Sequence, residues 1–244
     1  MIELNKVDST TSTSTLMAAE QEKYGHGAVL YCREQTAGRG QRGNSWEAEP
    51  GKNLCFSVMM RPKHVAPKDS YYLSMAVSVG LVKALRHVTG LEVELKWPND
   101  VYVGDRKLCG ILIENTFSGQ TISRSIAGIG INVNQAEFLS DAPNPVSLIQ
   151  LLGHEFELEP LLRQVCEAIM AEVDAIDNDE SLRPELHARY LSMLWRRKGE
   201  WLWDDKLRGE RIRAAIRTVE PSGTLILDTD PPRSYAFKEV AAVL

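Results

Sequence analysis

The sequence predicts an α+β fold with a large first domain and a small C-terminal β-barrel. Over residues 1–196, short apolar runs bounded by turn residues are interspersed with amphipathic helical stretches. From about Lys198 only short strands follow, with turns at Asp204-Asp205, Pro221-Ser222-Gly223 and Asp230-Pro231-Pro232, which is typical of a small barrel. A chain of 244 residues is long enough for one large core and an appendage. We therefore expect two domains, at 1–196 and 197–244.

The first helix is predicted from about Leu16 to Lys23, directly after the hydroxyl-rich run Asp8–Thr15. Residues of this type cap helix N-termini, so the run has a purely structural interpretation. The alternative is that hydroxyl groups at a helix N-terminus bind a polar ligand. This segment alone leaves both interpretations open.

The loop between two predicted core strands has the composition of an anion-binding loop. The strands are Ala28–Cys32 and Asn53–Met60, and the loop Gln35–Trp46 between them contains three glycines and two arginines. Glycine lets the backbone approach a phosphate or carboxylate closely, and arginine supplies a permanently charged donor. A solvated basic turn would have the same composition, so the rest of the chain has to decide.

The elements that follow are predicted from the spacing of their apolar residues. Tyr71–Val88 has one apolar face at helical spacing and ends at Thr89-Gly90. The Val-Gly-Asp-Arg-Lys segment at 103–107 indicates a hairpin turn. Strands are expected at Val93–Trp97, Val101–Val103, Leu108–Glu114 and Ser125–Val133, and further helices at Glu159–Ile176 and Arg183–Arg196.

Composition narrows the class of protein. A net charge of −5 argues against a protein that mainly binds nucleic acid, because phosphate contacts need a basic surface. The four cysteines lie far apart without a Cys-x-x-Cys pair, so we expect buried free thiols rather than a zinc site or disulfides. The sequence lacks a signal peptide and a run of about 18 apolar residues. We therefore expect a cytoplasmic protein with no membrane partner.

Three further segments carry polar chemistry at strand ends. Lys96-Trp97-Pro98-Asn99-Asp100 places a cation, an amide and a carboxylate at a proline turn. Lys107 begins an apolar strand, where a lysine that faces a cleft would suit a transferring phosphoryl group. Gly128–Asn134 alternates small residues with isoleucine, which leaves one strand face without side chains. A P-loop and a dinucleotide fold are disfavoured, because Gly-x-x-x-x-Gly-Lys is absent and the glycine loop returns to a strand.

Together and in this order, these segments resemble the biotin protein ligases. The shared motifs, within Asp8–Asn134, are Gly-Arg-Gly-x-x-Gly-x-x-Trp, Lys-Trp-Pro-Asn-Asp, Lys-Leu-x-Gly-Ile-Leu-Ile-Glu and Gly-Ile-Gly-Ile-Asn. The resemblance implies a mixed β-sheet flanked by helices, similar to class II aminoacyl-tRNA synthetases, and an SH3-like C-terminal domain. It also implies the form without an N-terminal DNA-binding domain, and hence no DNA partner, because Asp8-Ser9-Thr10 lies so close to the first residue.

The reaction that the resemblance implies has two steps. The carboxylate of biotin attacks the α-phosphate of ATP, which releases pyrophosphate and forms biotinoyl-5′-AMP. A lysine of the biotin carboxyl carrier domain of an acetyl-CoA or related carboxylase then attacks this adenylate and releases AMP. Such chemistry needs positive charge around the phosphorus more than a general base, so Mg²⁺ is expected near the phosphates, with ligands that the sequence does not identify.

The resemblance assigns roles to individual residues. Arg39 and Lys107 are expected to be catalytic. Contacts to biotin are implied for Ser9, Thr10, Thr11, Gln35, Gly38, Arg39, Lys107, Gly128 and Gly130. Contacts to ATP or the adenylate are implied for Arg39, Gly40, Gln41, Arg42, Trp46, Asn99 and Asn132, with Trp46 near the adenine.

The chain departs from the family pattern at several positions. Gln41 and Asn44 stand where arginine is frequent, so we expect weaker retention of the adenylate. Thr11 stands where asparagine is frequent.

Two alternative functions stay open. One is a lipoate or octanoate ligase or transferase, although the Arg-Arg-x-Ser-Gly-Gly-Gly loop usual in those families is absent. The other is a non-catalytic biotin-binding sensor on the same fold. The sequence leaves the carrier and the oligomeric state open, and a homodimer is one state that the resemblance allows.

Overall fold

A seven-stranded mixed sheet forms the centre of the computed structural model, which describes residues 2–140 and 142–244, with the backbone alone at Arg42. Its strands are β1 Leu4–Thr10, β2 Val29–Gln35, β3 Leu54–Met60, β4 Val93–Lys96, β5 Asp100–Val103, β6 Arg106–Ser118 and β7 Thr121–Ile131. They lie in the order β1-β2-β3-β7-β6-β5-β4. β1 and β2 are parallel, and the other neighbours are antiparallel. The predicted mixed sheet is confirmed.

Five α-helices surround this sheet within the described residues. They are α1 Thr13–Ala19, α2 Tyr71–Thr89, α3 Leu148–Leu152, α4 Leu158–Asn178 and α5 Arg183–Ser192. Gly90 ends α2 in the left-handed conformation at φ 69°, as its position after the apolar face predicts.

The two faces of the sheet carry different helices. Along β3, Val58 and Met60 belong to the large apolar core that includes α2 and α4. Met59 faces the other way and packs with Met17 of α1 and Leu30. Because side chains alternate along a strand, α2 and α4 cover one face and α1 lies on the other. The face with α1 is therefore the one left partly open.

A second sheet of five antiparallel strands follows. Its strands are β8 Trp201–Asp205, β9 Glu210–Val219, β10 Leu225–Asp228, β11 Arg233–Tyr235 and β12 Val240–Ala242, in the order β11-β10-β9-β8-β12. This agrees with the predicted small SH3-like unit, and the boundary between residues 196 and 197 stays a prediction. The predicted turn at Asp204-Asp205 is wrong, because both residues end β8 and the turn follows at 206–209.

The hydroxyl-rich run supplies the N-cap position of α1 but no side-chain capping bond. β1 extends to Thr10, and Ser12 is the N-cap residue of α1 without a side-chain capping bond. Instead, the backbone N–H of Thr13 donates to Oε1 of Gln35 at 2.9 Å. The helix end is thus satisfied by a side chain from β2, a contact between residues 22 positions apart.

Three predicted bounds differ from the structure for identifiable reasons. α1 ends at Ala19, and a short 3₁₀ helix follows at Gln21–Lys23. α5 ends at Ser192 because the chain then joins the edge of β4, where the N–H of Trp195 donates to the carbonyl of Leu95 at 2.8 Å. The β6–β7 hairpin extends beyond the predicted strands, to Ser118 and from Thr121, because its outer part is mostly polar and lacks a continuous apolar run, although Ile122 is buried there.

The four cysteines, Cys32, Cys55, Cys109 and Cys166, are buried and free, as the sequence predicts. Burial raises the pKa of the Cys32 thiol to about 11 and that of Cys55 to about 12. Such thiols stay protonated near neutral pH, so they are packing residues rather than nucleophiles. Among the described helices, none combines the length and the apolar character needed to cross a bilayer.

The contact between α2 and α4 depends on Gly80. A Cβ atom at this position would lie 2.6 Å from the carbonyl oxygen of Ala168 and 2.6 Å from Cα of Ile169. We expect Gly80→Ala to lower the free energy of unfolding by about 1–3 kcal/mol, because the helices must separate. Urea unfolding measures this, with Gly25→Ala as the control, since a Cβ at Gly25 meets nothing within 4 Å. Equal stability of the two variants would contradict the account.

Candidate active site

One cavity of about 930 Å³ lies on the α1 face of the seven-stranded sheet. It extends across the strands from β3, beside α1, over β7 and β6 to β5. At the usual spacing between strands this span is about 14 Å. The loops at 39–47 and 138–145 contribute further wall residues. The cavity therefore suits an elongated ligand with different chemistry at its two ends.

Buried hydroxyl groups form one end of the cavity. Ser12, Thr13 and Ser14 line it and are at most 3% exposed. The hydroxyls of Ser12 and Ser14 are 3.0 Å apart, and that of Thr13 lies 2.8 Å from the hydroxyl of Ser57. Each hydroxyl can both donate and accept, so this corner can bind a compact polar group with donors and acceptors on neighbouring atoms.

The hydroxyls expected to contact biotin, on Ser9, Thr10 and Thr11, lie elsewhere. Ser9 and Thr11 are exposed, and Ser9 and Thr10 pair with β2 as part of β1. These three described residues are absent from the cavity wall. The Ser-Thr dipeptide recurs at residues 12–13 and 14–15, and the structure places Ser12, Thr13 and Ser14 in the cavity wall. The recurrence was the signal in the sequence that could have pointed to it.

The floor of the cavity is a strip of glycines. Gly110 of β6 lies directly opposite Gly130 of β7, and the indole ring of Trp46 lies on both. A Cβ atom at Gly130 would be 2.5 Å from Nε1 of Trp46, and one at Gly110 would be 3.0 Å from Cζ3. Gly128, in contrast, faces Ser14. The side-chain-free face is therefore occupied by Trp46 over Gly130 and stays accessible beside Gly128.

Two lysines share one carboxylate at the other end. Nζ of Lys107 lies 2.7 Å from Asp100, and Nζ of Lys96 lies 3.8 Å from the same carboxylate. Lys107 also lies 5.7 Å from the centre of the Trp46 ring. Burial lowers the pKa of Lys96 and the charges of Lys107 and Arg196 add to the effect, while Asp100 opposes it. Two cations against one anion leave a net positive charge, which suits a carboxylate or phosphate ligand.

Arg39 is held by a carboxylate within β6. Its guanidinium donates to both oxygens of Glu114, at 2.7 and 3.3 Å, and to the hydroxyl of Thr15 at 3.3 Å. Glu114 is the last residue of the Lys107–Glu114 motif, so the two motifs meet in space. No role for Glu114 was predicted from the sequence, because neither the apolar pattern nor the spacing of the motif indicates its partner.

A second loop contributes residues 138–140 and 142–145 to the cavity wall and is tied to the glycine loop by Glu47. The N–H groups of Leu139 and Ser140 donate to this carboxylate at 2.8 and 2.9 Å. Partial burial would raise the pKa of Glu47, but these bonds and one from Gln135 lower it overall. Neither Glu47 nor this loop was predicted from the sequence, because contacts between loops leave no periodic pattern.

The two asparagines expected to contact the nucleotide line the cavity and also form hydrogen bonds to the backbone of the fold. Nδ2 of Asn99 donates to the carbonyl of Ile111 at 2.6 Å, and Nδ2 of Asn132 donates to that of Val146 at 3.1 Å. Oδ1 of Asn132 and Oε1 of Gln41 are buried without a hydrogen-bond partner in the described structure. Both residues line the cavity, so these oxygens are acceptors available to a ligand.

Most of the predicted residues meet around this cavity. The wall includes Gln35, Arg39, Gly40, Gln41, Trp46, Asn99, Lys107, Gly128, Gly130 and Asn132. Gly38 lies outside the wall. An added Cβ there would lie 2.6 Å from the carbonyl oxygen of Trp46, so this glycine allows the backbone at Gly38 to lie close to the backbone at Trp46. The side chain of Arg42 lies outside the described part of the structure.

The chain belongs to the Biotin/lipoate A/B protein ligase family. The model of this family matches residues 5–132, which is more than half of the chain. The matched segment contains α1, the glycine loop, both lysines and the glycine strip.

Relatives with curated functions include biotin ligases. The biotin–[acetyl-CoA-carboxylase] ligase of Mycobacterium tuberculosis is 31% identical over 206 residues, covering 83% of this chain and 73% of the relative. The Bifunctional ligase/repressor BirA of Escherichia coli is 29% identical, covering 84% of this chain and 62% of the relative. The match to the Bacillus subtilis protein of the same name, at 28% identity, covers 57% of this chain and 43% of that protein. The chain thus spans about half the length of some of these relatives.

Solved structures confirm the fold class. Biotin protein ligase from Aquifex aeolicus, in complex with biotin and ATP, superposes with a TM-score of 0.81 at 22% identity, covering 100% of this chain and 99% of that one. The Leishmania major enzyme in complex with Biotinyl-5-AMP gives a TM-score of 0.62 at 20% identity, with 99% and 98% covered. The similarity covers the five-stranded C-terminal sheet as well as the seven-stranded sheet and its helices.

The glycine strip generates a test of the position of Trp46. We expect Gly130→Ala to displace the indole, because the added methyl group would overlap it, and to weaken ligand binding by about tenfold or more. Gly25→Ala is the control, since a Cβ at Gly25 meets nothing within 4 Å and Gly25 lies outside the cavity wall. Near-ultraviolet circular dichroism reports the ring, and titration with biotin and ATP reports binding. Identical spectra and affinities for the two variants would disprove the packing described.

Proposed function

We propose that this chain is a biotin–[biotin carboxyl carrier protein] ligase, which joins biotin to a carrier lysine in two ATP-driven steps. One observation carries the proposal: a single cavity combines a buried hydroxyl corner with a net positive lysine pair at its opposite end. Membership of the family adds the reaction class. The ureido ring of biotin would bind in the hydroxyl corner, and its carboxylate would reach Lys107.

In the first step, a carboxylate oxygen of biotin forms a bond to the α-phosphorus of ATP, and the bond to pyrophosphate breaks. Negative charge accumulates on the phosphoryl oxygens as this happens. Nζ of Lys107, held in place by Asp100 and by the Trp46 ring, would stabilise that charge. Binding both reactants in one cavity would also orient the carboxylate for in-line attack.

Arg39 would act beside Lys107 in this step. Its bidentate bonds to Glu114 hold the guanidinium and the glycine loop near the cavity. The acceptors on Gln41 and Asn132, unpartnered in the described structure, would bind hydroxyl or amino groups of the nucleotide. Gln41 supplies no positive charge, so we retain the expectation that the adenylate escapes more readily than from a loop with arginine there.

In the second step, the uncharged amine of a carrier lysine attacks the carbonyl carbon of the adenylate. An amide bond forms, the bond between the carbonyl carbon and the phosphate oxygen breaks, and AMP leaves with the cationic wall around it. We propose a biotin carboxyl carrier domain of acetyl-CoA carboxylase or a related carboxylase as the partner. A homodimer and a cytoplasmic location are part of the proposal, the latter because buried free thiols suit a reducing compartment.

Magnesium fits this site as a companion of the nucleotide. The described residues contain no group of three or more His, Cys, Asp or Glu side chains arranged for a metal ion. Mg²⁺ commonly binds through one or two carboxylates together with substrate phosphates, and Asp100 on the cavity wall could supply one. When bound, the ion would neutralise charge on the phosphates.

The hydroxyl corner favours biotin over lipoate. The ureido group of biotin has two N–H donors and a carbonyl acceptor, which complement hydroxyls that can both donate and accept. The dithiolane of lipoate offers no such donors or acceptors. The test is ATP–pyrophosphate exchange with each acid. We expect stimulation by biotin and not by lipoate, followed by labelling of an isolated carrier domain. Stimulation by lipoate alone would replace the proposal with the lipoate ligase, and binding without exchange would leave a sensor.

Removal of the Lys107 ammonium tests the first step. We expect Lys107→Ala to slow biotin-dependent ATP–pyrophosphate exchange by about 100-fold to 1000-fold, because a charge that stabilises the transition state is lost. Arg106→Ala is the control, since this neighbouring cation is exposed at the hairpin and lies outside the cavity wall. Circular dichroism verifies that both variants fold. Normal exchange by a folded Lys107→Ala variant would refute the role of this lysine.

A further inference from the structure

Arg196 has a backbone conformation that arginine rarely adopts. Its φ is 57°, in the left-handed region, where a residue with a Cβ is disfavoured and glycine is not. It stands between the end of α5 and the first strand of the C-terminal sheet. Strained positions that keep a bulky side chain point to a use for that side chain, so its contacts are informative.

The guanidinium of Arg196 is enclosed and bonded to both parts of the chain. Its side chain is 7% exposed, and the charged carbon lies 4.0 Å from the ring centre of Trp195 and 4.6 Å from that of Trp201. Nη1 donates to the carbonyl of Val243 at 2.7 Å. Nη2 lies 3.6 Å from the carboxylate of Asp105. Such a stacked, forked arrangement requires arginine rather than lysine.

The contacts with Val243, Asp105 and Trp195 lead to the cavity wall. The residues on either side of Val243, Ala242 and Leu244, line the cavity. Asp105 belongs to the turn that precedes Lys107. The ring of Trp195 lies 5.3 Å from that of Tyr102. Arg196 thus fixes wall residues of the C-terminal sheet and of the hairpin at once.

Tyr102 extends this chain of contacts to the second lysine. Nζ of Lys96 lies 5.1 Å from the centre of the Tyr102 ring, and the charge of Arg196 contributes to the lowered pKa of Lys96. The end of the cavity that Arg196 supports is therefore the cationic one. The hydroxyl corner lies across β7 and β6 from it and shares none of the contacts named.

We propose that Arg196 is a positioning residue for the nucleotide half of the active site. It holds the segment 242–244 and the Tyr102–Lys96 wall in the arrangement that binds ATP, without touching the substrate itself. This inference rests on the proposed function. It predicts that loss of Arg196 weakens the enzyme toward ATP selectively, whereas a residue that merely stabilises the fold would lower the active fraction for both substrates alike.

Arg196→Gly is the informative variant, because it removes the side chain and relieves the left-handed backbone at the same time. Arg196→Lys keeps the charge but loses the fork and the stacking. Arg197→Gly is the matched control, since it removes an adjacent guanidinium that is exposed and is absent from the cavity wall. All three, with the full chain, are assayed by ATP–pyrophosphate exchange at varied ATP and varied biotin.

For Arg196→Gly we expect the KM for ATP to rise about tenfold or more, because the variant loses a network of charge-assisted contacts. The KM for biotin should change less than about twofold. Arg196→Lys should fall between this variant and the wild type, and Arg197→Gly should match the wild type. A lower kcat with both KM values unchanged, or an equal rise in both, would overturn the inference. If Arg196→Gly does not fold, Arg196→Lys decides by the same ATP criterion. Wild-type protein without exchange would instead overturn the proposed function itself.

Discussion

The geometry of the site depends on one packing constraint, the contact of the Trp46 indole with two glycines that face each other across β6 and β7. Because Gly110 and Gly130 are register partners, their strands present a patch of bare backbone wide enough for an aromatic ring. The ring fixes the end of the glycine loop, whose other contacts then follow. The backbone N–H of Trp46 donates to the carbonyl of Gly38, and the guanidinium of Arg39 donates to Glu114. The same ring lies beside Lys107 and so links the loop to the charged end of the cavity.

Electrostatics gives this frame its chemistry. Lys96 and Lys107 lie against a single carboxylate, and burial strengthens the interactions of that cluster because little solvent screens it. The anionic group in which an acyl carboxylate is joined to a phosphate would neutralise the net positive charge of this cluster. The uncharged hydroxyl corner at the other end provides recognition without adding charge. Recognition and charge stabilisation therefore lie at opposite ends of one cavity. The ligand can be recognised by a polar group that is distant from its reacting carboxylate.

The sequence predicted the elements and the motifs because these depend on local patterns: the strands around the glycine loop, the end of α2 at Gly90 and the hairpin before Lys107. It could not predict contacts between distant segments. The Ser-Thr dipeptide occurs three times, at residues 9–10, 12–13 and 14–15, and only the fold shows that Ser12, Thr13 and Ser14 reach the cavity. The sheet order also decides three other contacts. It brings Gln35 to the N-terminus of α1 and Glu114 to Arg39. It also brings the chain after α5 to the edge of β4, where the helix ends.

A crystal structure of the chain after incubation with biotin and ATP tests the central claim most directly. The account predicts biotinoyl-5′-AMP in the cavity, with the ureido ring at Ser12–Ser14 and the carboxyl–phosphate junction within hydrogen-bond distance of Nζ of Lys107. The adenosine would then lie toward Tyr102 and residues 242–244. A ligand bound on another surface, or one whose phosphate has no contact with Lys107, would contradict the account.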